Sequence, residues 1–338
     1  MERSVQIPSG SGLLAGVDIG GTKLAVGVSD LEGHLLDVER EPTDRSQGPD
    51  PVMAALRRLL QSALDKASAK APGQRLRAIG VAVGGPLDPQ RTVVLRAPNL
   101  PGWDNYPVRG FFERAFRVPT NMDNDASAAG LGEARYGAGR GYSHVCYFTV
   151  STGIGGGIIV DGSIYRGASA GAAEFGHQVI LPDGPRCLCG RQGCLEALAS
   201  GTSIARRVRE AIAAGAGANA VLRLAGGDPT RITAEMVAHA AQAGDPFSLR
   251  IWEETGFYLG LGVANVINIL NPNRVVIGGG VSNAGDLIFC PVRRTVQERA
   301  MPELAAVADV VPAELGDRVG VVGAICLAQD LLTGREGC

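Results

Sequence analysis

Apolar and polar runs alternate from the start of the chain in a pattern typical of short strands joined by tight turns. The run Leu13–Asp18 ends in a carboxylate and is followed by Gly20-Gly21-Thr22-Lys23 and a second apolar run, Leu24–Val28. A turn at Asp30–Gly33 leads to a third strand, Leu35–Glu39. The pattern predicts a three-stranded β-meander whose first hairpin is rich in glycine.

The same order of features returns near the middle of the chain. A strand at Val145–Val150 precedes the glycine-rich turn Ser151–Gly157, which is followed by a strand at Ile158–Val160. Asp161-Gly162 then predicts a tight hairpin turn into a third run, Ser163–Arg166. A repeated meander of this kind predicts a duplicated domain.

Between and after the meanders, apolar residues recur at helical spacing. Helices are predicted at Pro51–Ala69, Pro107–Phe116, Ala126–Arg135, Ser203–Ala213, Ala234–Ala241, Phe247–Leu270 and Gly320–Leu332. Further strands are predicted at Leu76–Val83, Val118–Met122 and Arg274–Ile277. Because strands alternate with helices, the fold class is expected to be α/β.

Composition and charge argue against two classes of binding partner, nucleic acids and membranes. The 338 residues are enough for two domains, and 32 basic against 34 acidic residues give a net charge of -2. Without a basic stripe, we expect no nucleic-acid partner. No apolar stretch has the length of a signal peptide or a bilayer span, so we expect a cytoplasmic protein without membrane contact. The seven cysteines, an odd number, fit a reducing compartment better than a disulfide framework.

Three glycine turns follow predicted strands and are candidates for a phosphate site. Glycine allows backbone N–H groups to approach an anion, threonine hydroxyls add donors, and Lys23 adds a positive charge. Asp18, at a strand end, is a candidate for Mg²⁺, held through water. Each turn alone is more often an ordinary turn, but two of them occupy matching places in a repeated meander. The predicted phosphate-binding residues are Asp18, Gly20, Gly21, Thr22, Lys23, Thr152, Gly153, Gly279 and Gly280.

Two common nucleotide motifs do not account for these turns. Gly-Gly-Thr opens a hairpin, whereas the Rossmann fingerprint opens a helix, and the sequence contains no Walker A motif.

Three cysteines, Cys187, Cys189 and Cys194, lie close together, and His177 precedes them. A set of three thiolates and one imidazole suits a structural, four-coordinate Zn²⁺. The alternative is three free thiols. A catalytic zinc is not expected, because four protein ligands leave no open position.

Four motifs together resemble the ROK family (repressors, open reading frames, kinases). They are Asp18–Lys23, Asn124–Glu133, Glu174–His177 and Cys187–Glu196, and the resemblance extends from about residue 13 to 330. The loops Gly84–Asp88 and Ala97–Trp103 look most like the glucokinase branch of that family.

The resemblance implies a two-domain, actin-like (ribonuclease H-like) fold with the active site between the domains. It implies a small domain of residues 1–123 plus about 319–338, and a large domain of residues 124–318 that carries the zinc loop 177–194. It also implies a homodimer or homotetramer. The implied activity is transfer of the ATP γ-phosphate to the 6-hydroxyl of glucose.

The resemblance also assigns residues to the sugar. The implied sugar-binding residues are Gly85, Asn99, Asn124, Asp125, Glu174, His177 and Glu196. Asp125 is the expected catalytic base, since it sits where a strand meets a helix N-terminus, which favours the ionised carboxylate. The alternative is that Asn124 and Asp125 only cap that helix. The zinc is expected to shape the sugar pocket and to take no part in phosphoryl transfer.

Several alternatives remain open at the level of sequence. The sugar could instead be mannose, fructose, N-acetylglucosamine or N-acetylmannosamine, and the donor could be polyphosphate. A sugar-sensing repressor would carry an N-terminal helix-turn-helix, for which we expect no room before Leu13. A structural actin-like ATPase would not need the zinc loop.

Overall fold

The computed structural model describes residues 11–46, 48–97, 100–215 and 217–335. The strands are β1 (Leu13–Ile19), β2 (Lys23–Ser29), β3 (Leu35–Pro42), β4 (Leu76–Val83), β5 (Val94–Arg96), β6 (Asp104–Tyr106), β7 (Thr120–Asn124), β8 (His144–Val150), β9 (Ile154–Val160), β10 (Ser163–Ile164), β11 (Arg274–Gly278) and β12 (Asp309–Pro312). The helices are α1 (Pro49–Lys70), α2 (Val108–Phe116), α3 (Asp125–Tyr136), α4 (Leu195–Ala199), α5 (Gly201–Ala213), α6 (Asn219–Leu224), α7 (Ala234–Gln242), α8 (Pro246–Leu270), α9 (Asp286–Arg299), α10 (Pro302–Ala305) and α11 (Val319–Thr333).

Two five-stranded sheets have the same strand order, which confirms the predicted duplication. In the first sheet, β3–β2–β1–β4–β7, the first three strands form an antiparallel meander, and β4 and β7 continue it in parallel. The second sheet has the order β10–β9–β8–β11–β12, with β10 antiparallel to β9 and with β8, β11 and β12 parallel. Strand β8 therefore occupies the place in its sheet that β1 occupies in the first.

Some predicted boundaries were wrong. The glycine turn predicted over Ser151–Gly157 is shorter, because β9 begins at Ile154 and takes three of the glycines into the strand. The strand predicted over Val118–Met122 runs instead over Thr120–Asn124, after Pro119. Glycine or proline lies at both of these boundaries and indicates that a strand begins or ends nearby. The exact boundary depends on the neighbouring strand with which β7 or β9 pairs, and that strand lies elsewhere in the chain.

The chain divides into two compact units. The first comprises the described residues within 11–143, 157–173 and 314–335, and the second comprises those within 144–156 and 174–313. These units are groups of residues in contact with one another. The domain boundaries that we predicted near residues 123 and 319 stay a prediction.

In the first unit, the alternation of side chains along β1 separates two apolar layers. Leu13, Ala15, Val17 and Ile19 belong to a large cluster on one face of the sheet. That cluster also contains residues of α1 and α2, among them Val52, Met53, Leu56, Leu60, Val108 and Phe112. Leu14 faces the other way and packs with Ala25, Ala78 and three residues of α11: Val321, Ile325 and Ala328.

A row of glycines lets α11 lie directly on the first sheet. Gly16 pairs with Gly27 on one side and with Gly80 on the other. A Cβ atom added at Gly80 would lie 1.7 Å from the carbonyl oxygen of Ala324, so any side chain there would force α11 away from the sheet.

In the second unit, α8 packs against α9 at small residues. A Cβ atom added at Gly256 or Gly260 would lie within 2.3–2.5 Å of Pro291 or Thr295. Trp252 of α8 is buried. Among the described residues, no helix combines the length and the apolar character that crossing a membrane requires.

Candidate active site

The first glycine turn is braced by a threonine that sequence reasoning missed. The amide of Gly20 donates to the carbonyl of Lys23 at 3.1 Å, which closes the turn between β1 and β2. Thr43 then donates its hydroxyl to the carbonyl of Gly20 at 2.7 Å and its amide to the carbonyl of Thr22. Thr22 itself is exposed. The carbonyls of Gly20, Thr22 and Lys23 thus accept hydrogen bonds from within the protein. The hydroxyl of the exposed Thr22 is available to an anion.

Asp18 lies at the end of β1 against the first turn of α11. A Cβ atom added at Gly320 would lie 2.3 Å from a carboxylate oxygen of Asp18, so this contact requires glycine. Burial, with a smaller contribution from the charge of Asp125, raises the pKa of Asp18 to about 7, although Lys23 and Arg40 act in the opposite direction. A cation beside Asp18 would relieve this cost of ionisation.

Asn124 and Asp125 stand at the junction of β7 and α3. The side-chain oxygen of Asn124 accepts from the amides of Ala126 and Ser127, at 2.9 and 3.3 Å, and caps α3. Asp125 accepts from the amide of Ala126 through Oδ1 and points Oδ2 towards Gly84.

The carboxyl of Asp125 is reachable by solvent but surrounded by protein. The residue is exposed, yet desolvation by the surrounding protein raises its pKa above the ordinary range, against two weaker backbone hydrogen bonds. A carboxylate that is open to a ligand and whose affinity for a proton is raised is suited to general-base catalysis.

Two buried carboxylates lie near the two ends of α3. Asp123, immediately before Asn124, pairs with Arg166. Glu133, for which we predicted no role, accepts from the amides of Ala138 and Leu315 at 2.8 and 2.9 Å and from the amide of Glu314 at 3.2 Å. Glu133 thus joins α3 to the segment that leads into α11. The fully buried position of Glu133 depends on residues far away in the sequence, so its role could not be inferred from local spacing.

Gly85 lies in a loop where glycine is required. Its φ angle is +111°, and a Cβ atom there would lie 2.3 Å from the carbonyl oxygen of Arg96. Asn99, the weakest of the predicted sugar residues, lies outside the described residues.

In the second unit, the structure brings the other two glycine turns together. Gly279 has a φ angle of +87°, and a Cβ atom there would lie 2.4 Å from the carbonyl oxygen of Val150, directly before the turn Ser151–Gly153. The start of α5 braces the same turn, because Gly201 donates its amide to Ser151 and Thr202 its hydroxyl to the carbonyl of Thr152. Thr152 and Gly280 remain exposed.

Glu196 connects this turn to the cysteine loop. Its Oε2 accepts from the amide of Ile154 at 2.8 Å, and its Oε1 lies 3.7 Å from the sulfur of Cys187. The contact with Ile154 was not predicted, because nothing in the local sequence indicates which backbone amide Glu196 meets.

Glu174 and His177 flank a buried aromatic anchor. Phe175 stacks on Phe148 of β8 with ring centroids 4.6 Å apart. Glu174 is exposed, and one of its carboxylate oxygens lies 3.9 Å from Nε2 of His177. The other ring nitrogen of His177, Nδ1, lies 3.7 Å from the sulfur of Cys187.

The four predicted zinc ligands converge. The ligand atoms of His177, Cys187, Cys189 and Cys194 all lie within 4.8 Å of one another, and the sulfurs of Cys189 and Cys194 are 3.7 Å apart. Burial raises the pKa of the Cys187 and Cys194 thiols. A backbone hydrogen bond at Arg191 lowers the pKa of Cys189, which is exposed.

Two of these distances, 3.7 Å between the sulfurs of Cys189 and Cys194 and 3.7 Å between Nδ1 of His177 and the sulfur of Cys187, match those between ligands of one tetrahedral metal ion. Zinc–sulfur bonds of about 2.3 Å and tetrahedral angles separate two sulfur ligands by about 3.8 Å, with slightly less for sulfur and nitrogen. The loop is held in this shape by its own backbone, since Cys187 donates to Arg191 and Gly193 donates to Pro185.

The chain resembles known proteins over nearly its whole length. The model of the family described as ROK family matches residues 14–331. A glucokinase from Streptomyces coelicolor is 37% identical over 321 residues, which cover 94% of this chain and 98% of that relative.

Two solved structures are similar in both sequence and fold. A ROK family glucokinase from Streptomyces griseus, in complex with glucose and AMPPNP, is 37% identical with a TM-score of 0.79, covering 94% of this chain and 100% of that one. A ROK hexokinase from Thermus thermophilus is 34% identical with a TM-score of 0.79, covering 96% of this chain and 100% of that one.

Proposed function

The chain belongs to the ROK family, and from this premise we propose that it is a glucokinase, which transfers the γ-phosphate of ATP to the 6-hydroxyl of glucose. The observation that carries the proposal is the exposed carboxyl of Asp125, whose pKa is raised and which is fixed at the start of α3. The similarity to a structure solved with glucose and AMPPNP supports the choice of both substrates.

Asp125 is the proposed general base. It accepts the proton of the sugar 6-hydroxyl as that oxygen attacks the γ-phosphorus, and the bond from phosphorus to the ADP oxygen breaks. The products are glucose 6-phosphate and ADP, and the proton passes from Asp125 to solvent. Since phosphoryl transfer depends mainly on positioning and on charge, the base must be held rigidly.

The glycine turns are the proposed phosphate ligands. Thr22, Lys23 and the amides around Gly20 and Gly21 serve in the first unit, with Thr152, Gly153, Gly279 and Gly280 in the second. Asp18, with its raised pKa, is the residue that would hold Mg²⁺ through water, and the ion would offset charge on the β- and γ-phosphates.

Polar side chains supply the proposed sugar contacts. The oxygen of Asn124 caps α3, so its amide NH₂ is the group assigned to a sugar hydroxyl. Glu174 and Glu196 accept from hydroxyls, and Gly85 and Asn99 complete the set. His177 can serve both of its predicted roles, because Nδ1 faces Cys187 while Nε2 faces Glu174.

The cysteine loop is the proposed structural zinc site. The convergence of three sulfurs and Nδ1 of His177 supports it. When bound, zinc would neutralise the thiolates and fix the loop from His177 to Cys194. Glu174 and Glu196 flank that loop, so a bound zinc ion would influence sugar binding through the positions of these two carboxylates.

The experiment that tests this function measures ADP release from Mg-ATP. The panel contains glucose, mannose, fructose, N-acetylglucosamine and N-acetylmannosamine. We expect the highest kcat/KM with glucose, because the sequence resembles the glucokinase branch. Preference for another hexose would keep the reaction and change the substrate, whereas no ADP release with any sugar would contradict the kinase function.

A parallel assay with polyphosphate in place of ATP tests the identity of the phosphate donor. The predicted homo-oligomer stays a prediction that light scattering can test.

A further inference from the structure

A buried ion pair involves Asp123, the residue that immediately precedes Asn124 and the proposed base Asp125. Nε of Arg166 donates to Oδ2 of Asp123 at 2.7 Å, and only 8% and 3% of the two side chains is exposed. Arg166 follows the short strand β10, and a second guanidinium, that of Arg91, lies 4.0 Å from the same oxygen. None of the roles proposed above uses this pair.

The pair is linked to the catalytic residues through the backbone. The other oxygen of Asp123, Oδ1, accepts from the amide of Asn124 at 2.9 Å. Asp123 is also a residue of β7 that pairs with Ala82 of β4, the strand that leads to Gly84. Fixing the Asp123 carboxylate therefore fixes the backbone at the point where Asn124 and Asp125 begin α3.

A second buried ion pair in the same unit provides a comparison. Arg135 pairs with Asp330, and the exposed fractions of the two side chains are 10% and 6%. Arg135 stands ten residues beyond Asp125 on α3, which corresponds to roughly 15 Å along the helix axis. It also donates to the carbonyls of Cys326 and Gly162. This pair is similar in chemistry and burial, and Asp330 also feels the charge of Arg166. Among the described residues, however, it has no hydrogen bond to Asn124 or Asp125, which is the link that the comparison tests.

We propose that Arg166 is a positioning residue for phosphoryl transfer: through Asp123 it holds Asn124 and Asp125 in the orientation that the sugar 6-hydroxyl requires. The proposal rests on the proposed kinase function. Both pairs hold the fold together, but the Asp123–Arg166 pair also sets the geometry of the sugar site. Small displacements of a catalytic group are costly, since a shift of about 1 Å can reduce a rate about a hundredfold.

The test compares Arg166→Gln, Arg166→Lys, Asp123→Asn and the control Arg135→Gln in the full chain. Steady-state kinetics are measured on the best hexose of the panel, at a temperature where circular dichroism shows each variant folded. For Arg166→Gln and Asp123→Asn we expect kcat to fall about tenfold to a hundredfold and the sugar KM to rise, while the ATP KM stays unchanged. Arg166→Lys should recover part of the loss, because it retains the charge. Arg135→Gln should lower the melting temperature without changing either KM.

The outcomes separate the two claims. A merely structural pair would lower the amount of active enzyme and leave the sugar KM unchanged. The positioning role is therefore contradicted if Arg166→Gln keeps the wild-type sugar KM, or if Arg135→Gln changes kinetics in the same way. If the wild-type protein phosphorylates no hexose, the kinase function itself is wrong and the positioning role falls with it.

Discussion

At the scale of residues, Asn124 and Asp125 reconcile two alternatives that the sequence left open. The pair could cap a helix or act on a substrate, and the structure shows the oxygen of Asn124 in the cap. The carboxyl of Asp125 is exposed, with Oδ2 near Gly84, and its pKa is raised. Capping and the proposed catalysis are therefore compatible, because different atoms carry them.

Asp18 gives a prediction about stability and pH. The unfolded carboxyl loses its proton near pH 4, whereas the folded one keeps it until about pH 7. Between these values the folded state binds more protons, so the contribution of Asp18 to stability falls as pH rises. Since one pKa unit corresponds to about 1.4 kcal/mol, the loss is at most about 4 kcal/mol.

We therefore expect Asp18→Asn to be more stable than the wild type at pH 8 and to lose that advantage towards pH 4. Urea unfolding of the ligand-free protein across this range measures the difference in free energy of unfolding. Asp104→Asn, at an exposed position on β6, is the control for the removal of one carboxyl charge. A constant difference between Asp18→Asn and wild type at all pH values would show that Asp18 titrates normally.

The residues that sequence reasoning missed share one property: their partners are distant in the chain. Thr43 braces a turn more than twenty residues earlier, and Gly320 is required by Asp18 from the opposite end of the chain. Motifs identify residues that carry chemistry themselves. The residues that hold them in place appear ordinary in the sequence, because their identity is set by tertiary contacts.

At the scale of elements, the sequence pattern predicted seven of the eleven helices and nine of the twelve strands among the described residues. The elements without a prediction are α4, α6, α9, α10, β5, β6 and β12, of which α9 is the longest. That helix contains Pro291 inside its span, and proline argues locally against a helix. Its buried residues Ile288, Phe289, Val292 and Val296 nevertheless have helical spacing, and Pro291 packs against Gly256 of α8. Tertiary packing overrides local preference here.

The loop from His177 to Cys194 gives a prediction about zinc. We expect purified protein to contain about one zinc ion per chain and to release protons when zinc is added to the stripped protein. Removal of zinc should lower the melting temperature and raise the glucose KM. Elemental analysis, calorimetry in buffers of different ionisation enthalpy and kinetics measure these effects.

Cys189→Ser and Cys290→Ser form a matched pair for this test, because both cysteines are exposed and only Cys189 belongs to the cluster. Cys189→Ser should lose most of its zinc, whereas Cys290→Ser should behave as wild type. Equal zinc content in both variants would contradict the metal site. Equal kinetics of zinc-loaded and zinc-stripped protein would contradict the role of zinc in shaping the sugar pocket.

At the scale of the whole molecule, the sequence predicted the duplicated meander and the α/β fold of actin-like type, and both are confirmed. The local pattern of apolar and polar residues did not show which segments of the chain belong to each unit. The first unit combines three separate segments of chain, including α11 from near the C-terminus. The row of glycines at Gly16, Gly27 and Gly80 reflects this packing in the sequence, but it can be interpreted only once the strand register is known.

Asp125 is proposed above as the base of a sugar kinase. The most direct measurement is the kcat of ADP release with saturating glucose and Mg-ATP for Asp125→Asn beside wild type, with Asp104→Asn as the control for charge. We predict a folded Asp125→Asn protein whose kcat is lower by about 10²- to 10⁴-fold, the usual contribution of a general base. A kcat within about threefold of wild type, outside that range, would contradict the assignment and leave Asp125 a structural residue.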